Sequence, residues 1–421
     1  MASDRSYYES VKERLIRYAQ VDTQSINGTD AVPTTAKQFD LARMLRDELE
    51  EIGVQDVFLD EKCCVVYGKI PSNLSNVSKE HTGRDIGFIA HMDTAPDASG
   101  SGVRPWVLEN YRGQDILLNE QHQIVMSPEE FPNLLQYIGQ DLILTDGTTL
   151  LGGDDKASIA SIMTMAEHLC RHPEIPHAGI SLAFTPDEEV GGLARDLDLE
   201  RFGAPIAYTL DGDHLGYYED ETFNASSAEF TIRGQSVHTG TAKGIMINAA
   251  DIAAEFIGML PADERPQTTD GRQGFYHVVS CQADCENAVV KLIVRDHDPE
   301  LFLKREKYLK CCSDVLKKKY GEDRITLTIT PTYRNMKEVI DRVPFMIDVL
   351  KEAISNCGID PVCEPFRGGT DGAALSFRGL PCPNLSAGYE NAHGRFEYVP
   401  IQSMEKNVEI LLEMCRIYAN M

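Results

Sequence analysis

Ile86-Gly87-Phe88-Ile89-Ala90-His91-Met92-Asp93 runs from an uncharged, mostly apolar stretch straight into a His-x-Asp pair. A strand with one wet face alternates apolar and polar residues. One that is apolar at every position is covered on both faces, as in a parallel sheet between helices. Two later stretches repeat the pattern. Ile180-Ser181-Leu182-Ala183-Phe184-Thr185 delivers Pro186-Asp187-Glu188-Glu189, and Pro205-Ile206-Ala207-Tyr208-Thr209-Leu210 delivers Asp211-Gly212-Asp213-His214. In open α/β sheets ligands bind beyond the carboxyl ends of the strands, so three strands ending in acids or imidazole converge on one location.

A fourth acidic point is Gly152-Gly153-Asp154-Asp155-Lys156, preceded by the apolar Leu142-Ile143-Leu144 and the turn after it. Ile159, Ile162, Met163, Ala166, Leu169 and Cys170 follow at helical spacing, which predicts an amphipathic helix with both aspartates at its N-terminus. Aspartates there commonly cap the helix and do nothing more. The two glycines open backbone conformations closed to other residues, and the acids recur elsewhere in the chain.

Outward from this centre, Tyr8, Val11, Leu15 and Tyr18 mark one amphipathic helix; Phe39, Leu45, Leu49 and Ile52 mark another, stopped at Gly53. The stretch from Asp97 to Leu142 reads as a long connection bordering the site. From about Thr222 the texture changes. Ala228 to Arg233, Tyr276 to Cys281, Val289 to Arg295 and Ile325 to Ile329 read as strands, with helices near Asn248 to Met259 and Pro299 to Tyr320. The α/β pattern resumes with a helix from Arg342 to Asn356 and closes with one carrying Met404, Val408, Leu411, Leu412 and Cys415 on one face. The predicted fold class is therefore α/β. A large domain (residues 1–222 and 331–421) is built on a mixed, mostly parallel sheet flanked by helices. An inserted α+β domain (223–330) has a four-stranded sheet and two helices. The helix from Pro299 carries seven Lys or Arg residues between Lys304 and Lys319, the pattern of a solvated face.

Composition narrows the partners. A chain of 421 residues, 42% apolar, has ample core for two domains. Its net charge of −26 repels polyanions, which argues against nucleic acid or an anionic membrane surface. No stretch approaches the roughly 18 apolar residues of a membrane span, and the Met1–Arg5 segment lacks a signal core. Eleven cysteines without a Cys-x-x-Cys pair fit reduced, mostly buried thiols of a cytoplasmic protein.

Residues i and i+2 at a strand end point to the same side, so Asp93 can reach the ring of His91. A metal-bound imidazole usually gives its other N–H to a carboxylate or carbonyl. The set His91, Asp154, Glu188, Glu189, Asp211 and His393 is a mixed N/O donor group suited to Zn²⁺, or to Mn²⁺ or Co²⁺. So many carboxylates in one place would take up protons unless cations neutralised them. Two ions sharing a carboxylate, with a second acid as general base, make hydrolase chemistry. His-Glu-x-x-His, Gly-x-Ser-x-Gly, Walker A and Gly-x-Gly-x-x-Gly signatures are all missing. Arg367, opening Arg367-Gly368-Gly369-Thr370-Asp371-Gly372, reads either as a bidentate clamp for a substrate carboxylate or as a surface Arg–Asp pair.

In order along the chain, His91-Met92-Asp93-Thr94-Ala95-Pro96-Asp97, Leu151 to Lys156, Phe184 to Glu189, Asp211-Gly212, Val237-His238-Thr239-Gly240-Thr241-Ala242-Lys243-Gly244, Arg367 to Gly372 and His393-Gly394 resemble the peptidase T family. Its members are tripeptide aminopeptidases among the M20 metallopeptidases. The resemblance extends from Asp22-Thr23-Gln24-Ser25 to the final helix. It implies two zinc ions per subunit bridged by Asp154, one completed by His91 and Asp211 and the other by Glu189 and His393. It further implies Glu188 as base, Asp93 as the orienter of His91, and a cis peptide between Asp154 and Asp155. It makes the inserted domain a lid that also allows a homodimer, His238 a stabiliser of the oxyanion from the same or a partner subunit, and Arg367 the ligand of the peptide's carboxylate. Gly153 stands where the family has Ala, Ser158 replaces a Gly, and Thr239 replaces a Pro, which loosens the lid loop. Asp213 and His214 replace small residues, either as solvated groups or as charges that tune the site. The alternatives are a related M20 dipeptidase or N-acyl amino acid deacylase, and a catalytically silent peptide-binding protein.

Overall fold

The computed structural model describes residues 7–74, 85–192 and 194–421. The Met1–Arg5 segment considered above lies outside them. The chain forms two units. The larger comprises Met1–Asp220, Glu338–Glu364 and Thr370–Met421, and the smaller Glu221–Lys337 with Pro365–Gly369.

Helices α1 (Tyr8–Ala19) and α2 (Gln38–Ile52) lead into strands β1 (Gln55–Asp60), β2 (Val65–Ile70) and β3 (Ile86–His91). Four short strands follow: β4 (Trp106–Leu108), β5 (Ile116–Asn119), β6 (Ile124–Met126) and β7 (Leu142–Leu144). Then come α3 (Gly153–Arg171), β8 (Ile180–Thr185), α4 (Leu199–Phe202), β9 (Ile206–Gly212) and β10 (Tyr217–Glu219). The smaller unit supplies β11 (Asn224–Arg233), α5 (Ala249–Met259), β12 (Phe275–Ala283), β13 (Asn287–Asp296), α6 (Pro299–Tyr320) and β14 (Ile325–Tyr333). The chain ends through α7 (Lys337–Ile340), α8 (Phe345–Asn356), β15 (Val362–Cys363), α9 (Asp371–Phe377), β16 (Asn384–Ser386), β17 (Val399–Pro400) and α10 (Ile401–Asn420).

The main sheet has the order β1-β2-β8-β3-β9-β16-β10-β15. Its centre, β8-β3-β9-β16, is parallel, while β1-β2, β2-β8 and β10-β16 pair antiparallel. The apolar runs are explained by cover on both faces. Successive side chains of a strand point to opposite faces. Phe88 and Tyr208 stack on one face, where the Tyr208 hydroxyl meets that of Tyr418 on α10 at 2.6 Å. On the other, Ile89, Ala183 and Ala207 join Phe202 of α4 and Leu375 of α9. Each such fully buried large side chain contributes on the order of 1.5–3 kcal/mol.

Helix α3 departs from the amphipathic expectation. Every residue from Gly153 to Ala166 is buried, because α1 and α10 pack on the sides that β3 and β9 leave. Its polar residues Ser158, Ser161 and Thr164 sit inside the protein rather than on a wet face. The stretch from Asp97 to Leu142 is not a bare connection. It holds β4 to β6 around a core of Tyr111, Ile116, Leu118, Met126, Leu134 and Tyr137. Strands of three or four residues are too short to show a period of two.

The smaller unit is an all-antiparallel sheet, β12-β13-β11-β14. Ala228, Phe230 and Ile232 turn inward beneath α5 and α6, and Phe230 stacks on Phe256 with ring centroids 4.0 Å apart. On α6, Arg305 pairs with Asp296 and Glu264 and Lys319 with Glu255, while Lys304, Lys307 and Lys310 are exposed, as a solvated face requires. No helix among the described residues is long and apolar enough to cross a membrane. All eleven cysteines are free, and only Cys64, Cys312, Cys382 and Cys415 are buried, fewer than the sequence suggested.

Candidate active site

β8, β3 and β9 lie side by side, with His91 level with Thr185. Their carboxyl ends therefore place His91, the Glu188–Glu189 turn and Asp211 on one rim. The first turn of α3 meets this rim. Gly152 takes the left-handed conformation at φ 78°, and Asp154, with ψ 104°, stands outside helical geometry. A Cβ on Gly153 would lie 2.5 Å from Cγ2 of Val399, so the Val399 methyl occupies the space an Ala there would need. The Asp154–Asp155 peptide is cis. Asp155 turns inward and accepts the His91 backbone N–H at 3.2 Å. It therefore supports the strand end.

One carboxylate faces two imidazoles. Asp154 Oδ1 lies 3.0 Å from His91 Nε2, and Asp154 Oδ2 lies 3.1 Å from His393 Nε2. Asp211 Oδ1 is 3.4 Å from His91 Nε2, and Glu189 Oε2 is 2.9 Å from His393 Nε2. Two ligand bonds of 2.0–2.1 Å at a tetrahedral angle leave their donor atoms about 3.3 Å apart. The observed separations thus suit two cation positions, one on each oxygen of Asp154. Donor groups that close within 4.8 Å include His91 with Asp154 and Glu189, and His91 with Asp155 and Asp211. Glu189 Oε1 is buried without a hydrogen-bond partner, as an oxygen awaiting a cation would be.

The electrostatics agree. Burial, reinforced by the charge of Asp211, pushes Glu188 well above the usual carboxylate range. Burial and the nearby Asp154 push Glu189 up to about 8, and burial raises Asp211. Burial alone would depress His91, but its hydrogen bonds to Asp154, Asp211 and Asp93 outweigh that and raise it. His393 is raised to about 11 by its bonds to Asp154 and Glu189. A site with so much uncompensated negative charge holds protons that divalent cations would displace.

Asp93 serves three partners. Its main-chain carbonyl lies 3.1 Å from His91 Nδ1 and its Oδ1 3.4 Å from the same nitrogen; Oδ1 also accepts the Glu188 N–H at 2.9 Å, while Oδ2 accepts the Glu189 N–H at 3.2 Å. Asp187, at φ 61°, is fixed by Thr34 and by Gln38, whose side-chain amide reaches it at 2.7 Å. The strand end is thereby bent so that Glu188 and Glu189 turn back over the rim. Three contributors received no role in the sequence reading. Glu397 accepts backbone N–H groups of the α3 turn, Asp371 accepts the Thr185 hydroxyl at 2.8 Å, and buried Glu390 receives His214 Nδ1 at 2.7 Å. His214 is therefore tied down rather than simply solvated. Glu390 and Glu397 stand three residues before and four after His393, but nothing local in the sequence announces partners more than a hundred residues away.

Seven of the sequence-predicted residues, His91, Asp93, Asp154, Glu188, Glu189, Asp211 and His393, thus come together in the larger unit. His238 and Arg367 belong to the smaller one. His238 is exposed, and its Nδ1 accepts the Gly240 N–H at 3.2 Å in a turn closed by Thr241, so Thr239 leaves this loop hydrogen-bonded. Arg367 donates to the carbonyls of Gly271 at 2.6 Å and Gln273 at 2.9 Å and to the Thr269 hydroxyl at 2.9 Å, over the rings of Phe223 and Phe275. Its fork is already engaged by its own unit, so the Arg–Asp surface pair is not what forms, and a carboxylate would compete with these carbonyls.

Residues 220–324 match the family model described as a peptidase dimerisation domain. The chain is 48% identical to peptidase T of Geobacillus thermodenitrificans over 407 residues, 96% of this chain and 97% of that protein. The chain belongs to the peptidase T family. Peptidase T of Bacillus subtilis strain 168 is likewise 48% identical, over 97% of this chain and 98% of its own length. The peptidase T fold is seen again in the crystal structure of aminopeptidase PepT from Bacillus cereus, with a TM-score of 0.75 at 22% identity over 98% of this chain and 99% of that one. Membership of the peptidase T family makes the chain a peptidase of the M20 group with a dimerisation domain.

Proposed function

We propose that this protein is a cytoplasmic dizinc aminopeptidase that removes the N-terminal residue from tripeptides, and that it works as a homodimer through the smaller unit. The observation that carries this reading is Asp154, whose two oxygens face His91 and His393 at 3.0 and 3.1 Å. His91 and Asp211 would complete one position, and Glu189 and His393 the other, with Mn²⁺ or Co²⁺ as substitutes. Bound there, zinc polarises the scissile carbonyl and lowers the pKa of water toward about 7.

Glu188 removes the proton from the attacking water, holds it on its carboxylate, and delivers it to the leaving amine nitrogen. A buried carboxyl raised by its surroundings suits both halves of that transfer. Asp93 keeps the backbone of Glu188 and the ring of His91 in one frame. With Nδ1 accepting from Gly240, the other ring nitrogen of His238, Nε2, is left to donate a hydrogen bond to the developing oxyanion. Arg367 binds the peptide's terminal carboxylate by exchanging its partners on Gly271, Gln273 and Thr269.

The test is a panel of di-, tri- and tetrapeptides beside N-acyl amino acids, assayed on chelator-stripped and zinc-restored protein. Zinc-dependent cleavage of tripeptides with a free amine supports the reading; preference for an N-blocked substrate contradicts it.

A further inference from the structure

Glu397 is buried, 2% exposed, and its carboxylate collects three backbone donors from one turn. Oε2 accepts the N–H groups of Leu151 and Gly152, each at 2.8 Å, and Oε1 accepts that of Asp154 at 2.9 Å. These amides lead into and open α3, whose N-cap residue Gly152 supplies no side-chain acceptor of its own. A residue more than 240 positions away in the chain thus caps the helix. Three backbone hydrogen bonds and the positive end of the helix dipole offset part of the cost of burying the carboxylate, which burial and the nearby Asp154 still hold above the usual carboxylate range. All three bonds are spent on the turn that presents Asp154. Glu397 also lies four residues after His393, on the same segment.

We infer that Glu397 is a positioning residue for the shared carboxylate: it locks the Leu151–Asp154 turn to the segment carrying His393, and so fixes the distance between Asp154 and the second imidazole. This inference rests on the dinuclear reading above. Among the described residues no other side chain accepts these amides. Loss of Glu397 would free Asp154 to rotate off one of its two partners, and the pair of cation positions would separate before the fold did.

The experiment is zinc affinity by chelator competition on full-length parent, Glu397→Gln and Glu397→Asp, alongside the melting temperature of each metal-free form. Glu397→Gln keeps the shape but replaces one acceptor oxygen by a donor, leaving at least one amide unpaired. The expected result is zinc binding weakened by about 10–100-fold, the range typical for lost partners of metal ligands. A fall in kcat without a matching rise in KM should accompany it, and Glu397→Asp should recover part of the affinity. A purely structural role would lower the metal-free melting temperature and leave zinc affinity at the parent value, and that outcome overturns the inference. If Glu397→Gln does not fold, Glu397→Asp decides: parent-like affinity overturns the inference and weakened affinity upholds it. A parent protein that binds no zinc would instead overturn the dinuclear reading, and this inference with it.

Discussion

Asp93 accepts the backbone N–H of Glu188 at 2.9 Å on the same oxygen that lies 3.4 Å from Nδ1 of His91. One carboxylate therefore couples the orientation of an imidazole to that of the base. Asp93→Asn keeps one acceptor oxygen but loses the negative charge and one of the backbone bonds. The expected effect is a kcat lower by about 10–100-fold, as for other partners of metal-ligating imidazoles, with a smaller change in KM. Steady-state tripeptide hydrolysis measures it, and a parent-like kcat would remove Asp93 from the account.

Glu188→Gln removes the proton carrier while leaving the proposed ligands in place. General-base catalysis contributes about 10²–10⁴-fold, so kcat should fall by that amount with both metals still bound by elemental analysis. Hydrolysis at the parent rate would show that another group takes the proton.

Metal binding should release protons. In the metal-free site burial and Asp154 raise Glu189, and the bonds to Asp154 and Glu189 raise His393, so the pair binds protons more tightly than free side chains do. Ligation requires the deprotonated forms, hence apparent affinity must rise as pH increases and fall as it decreases. Calorimetric titration with zinc in two buffers of different ionisation enthalpy counts the released protons. No difference between the buffers would mean that the ligands are already deprotonated.

A Cβ added at Gly153 would lie 2.5 Å from Cγ2 of Val399, so that methyl fills the space. Gly153→Ala should then destabilise the protein by about 1–3 kcal/mol, as overpacking does. Val399→Ala in the same chain should restore part of the loss, because it removes the Cγ2 methyl that the new Cβ would meet, although Cγ1 goes with it. Thermal melts of the two single variants and the double one test the coupling. Additive losses would show that the residues do not compete for the same volume.

Much of this was legible in sequence where the causes are local. β3, β8 and β9 announce themselves because both faces are buried, and their acids follow at the strand ends. The His91–Asp93 relation follows from the pleat of a strand. Non-local causes were not legible. Helix α3 looks amphipathic in periodicity because Ser158, Ser161 and Thr164 mimic a polar face, yet α1 and α10 enclose it. β4 to β6 are too short to read, and their core forms with residues far along the chain, including Tyr398. Glu397 and Glu390 resemble any surface glutamate until the fold brings them to the α3 turn and to His214. Arg367 kept two readings in sequence, and its engagement with Gly271 and Gln273 depends on a loop about 95 residues earlier.

The central claim is that Asp154 is shared by two cations in a tripeptide aminopeptidase. It is tested most directly by counting zinc per chain while following hydrolysis of a free-amine tripeptide, in the parent and in Asp154→Ala. The account predicts two zinc ions and turnover in the parent, with both the second ion and turnover lost in the variant. Two ions retained in Asp154→Ala, or full turnover with one ion or none in the parent, would contradict it.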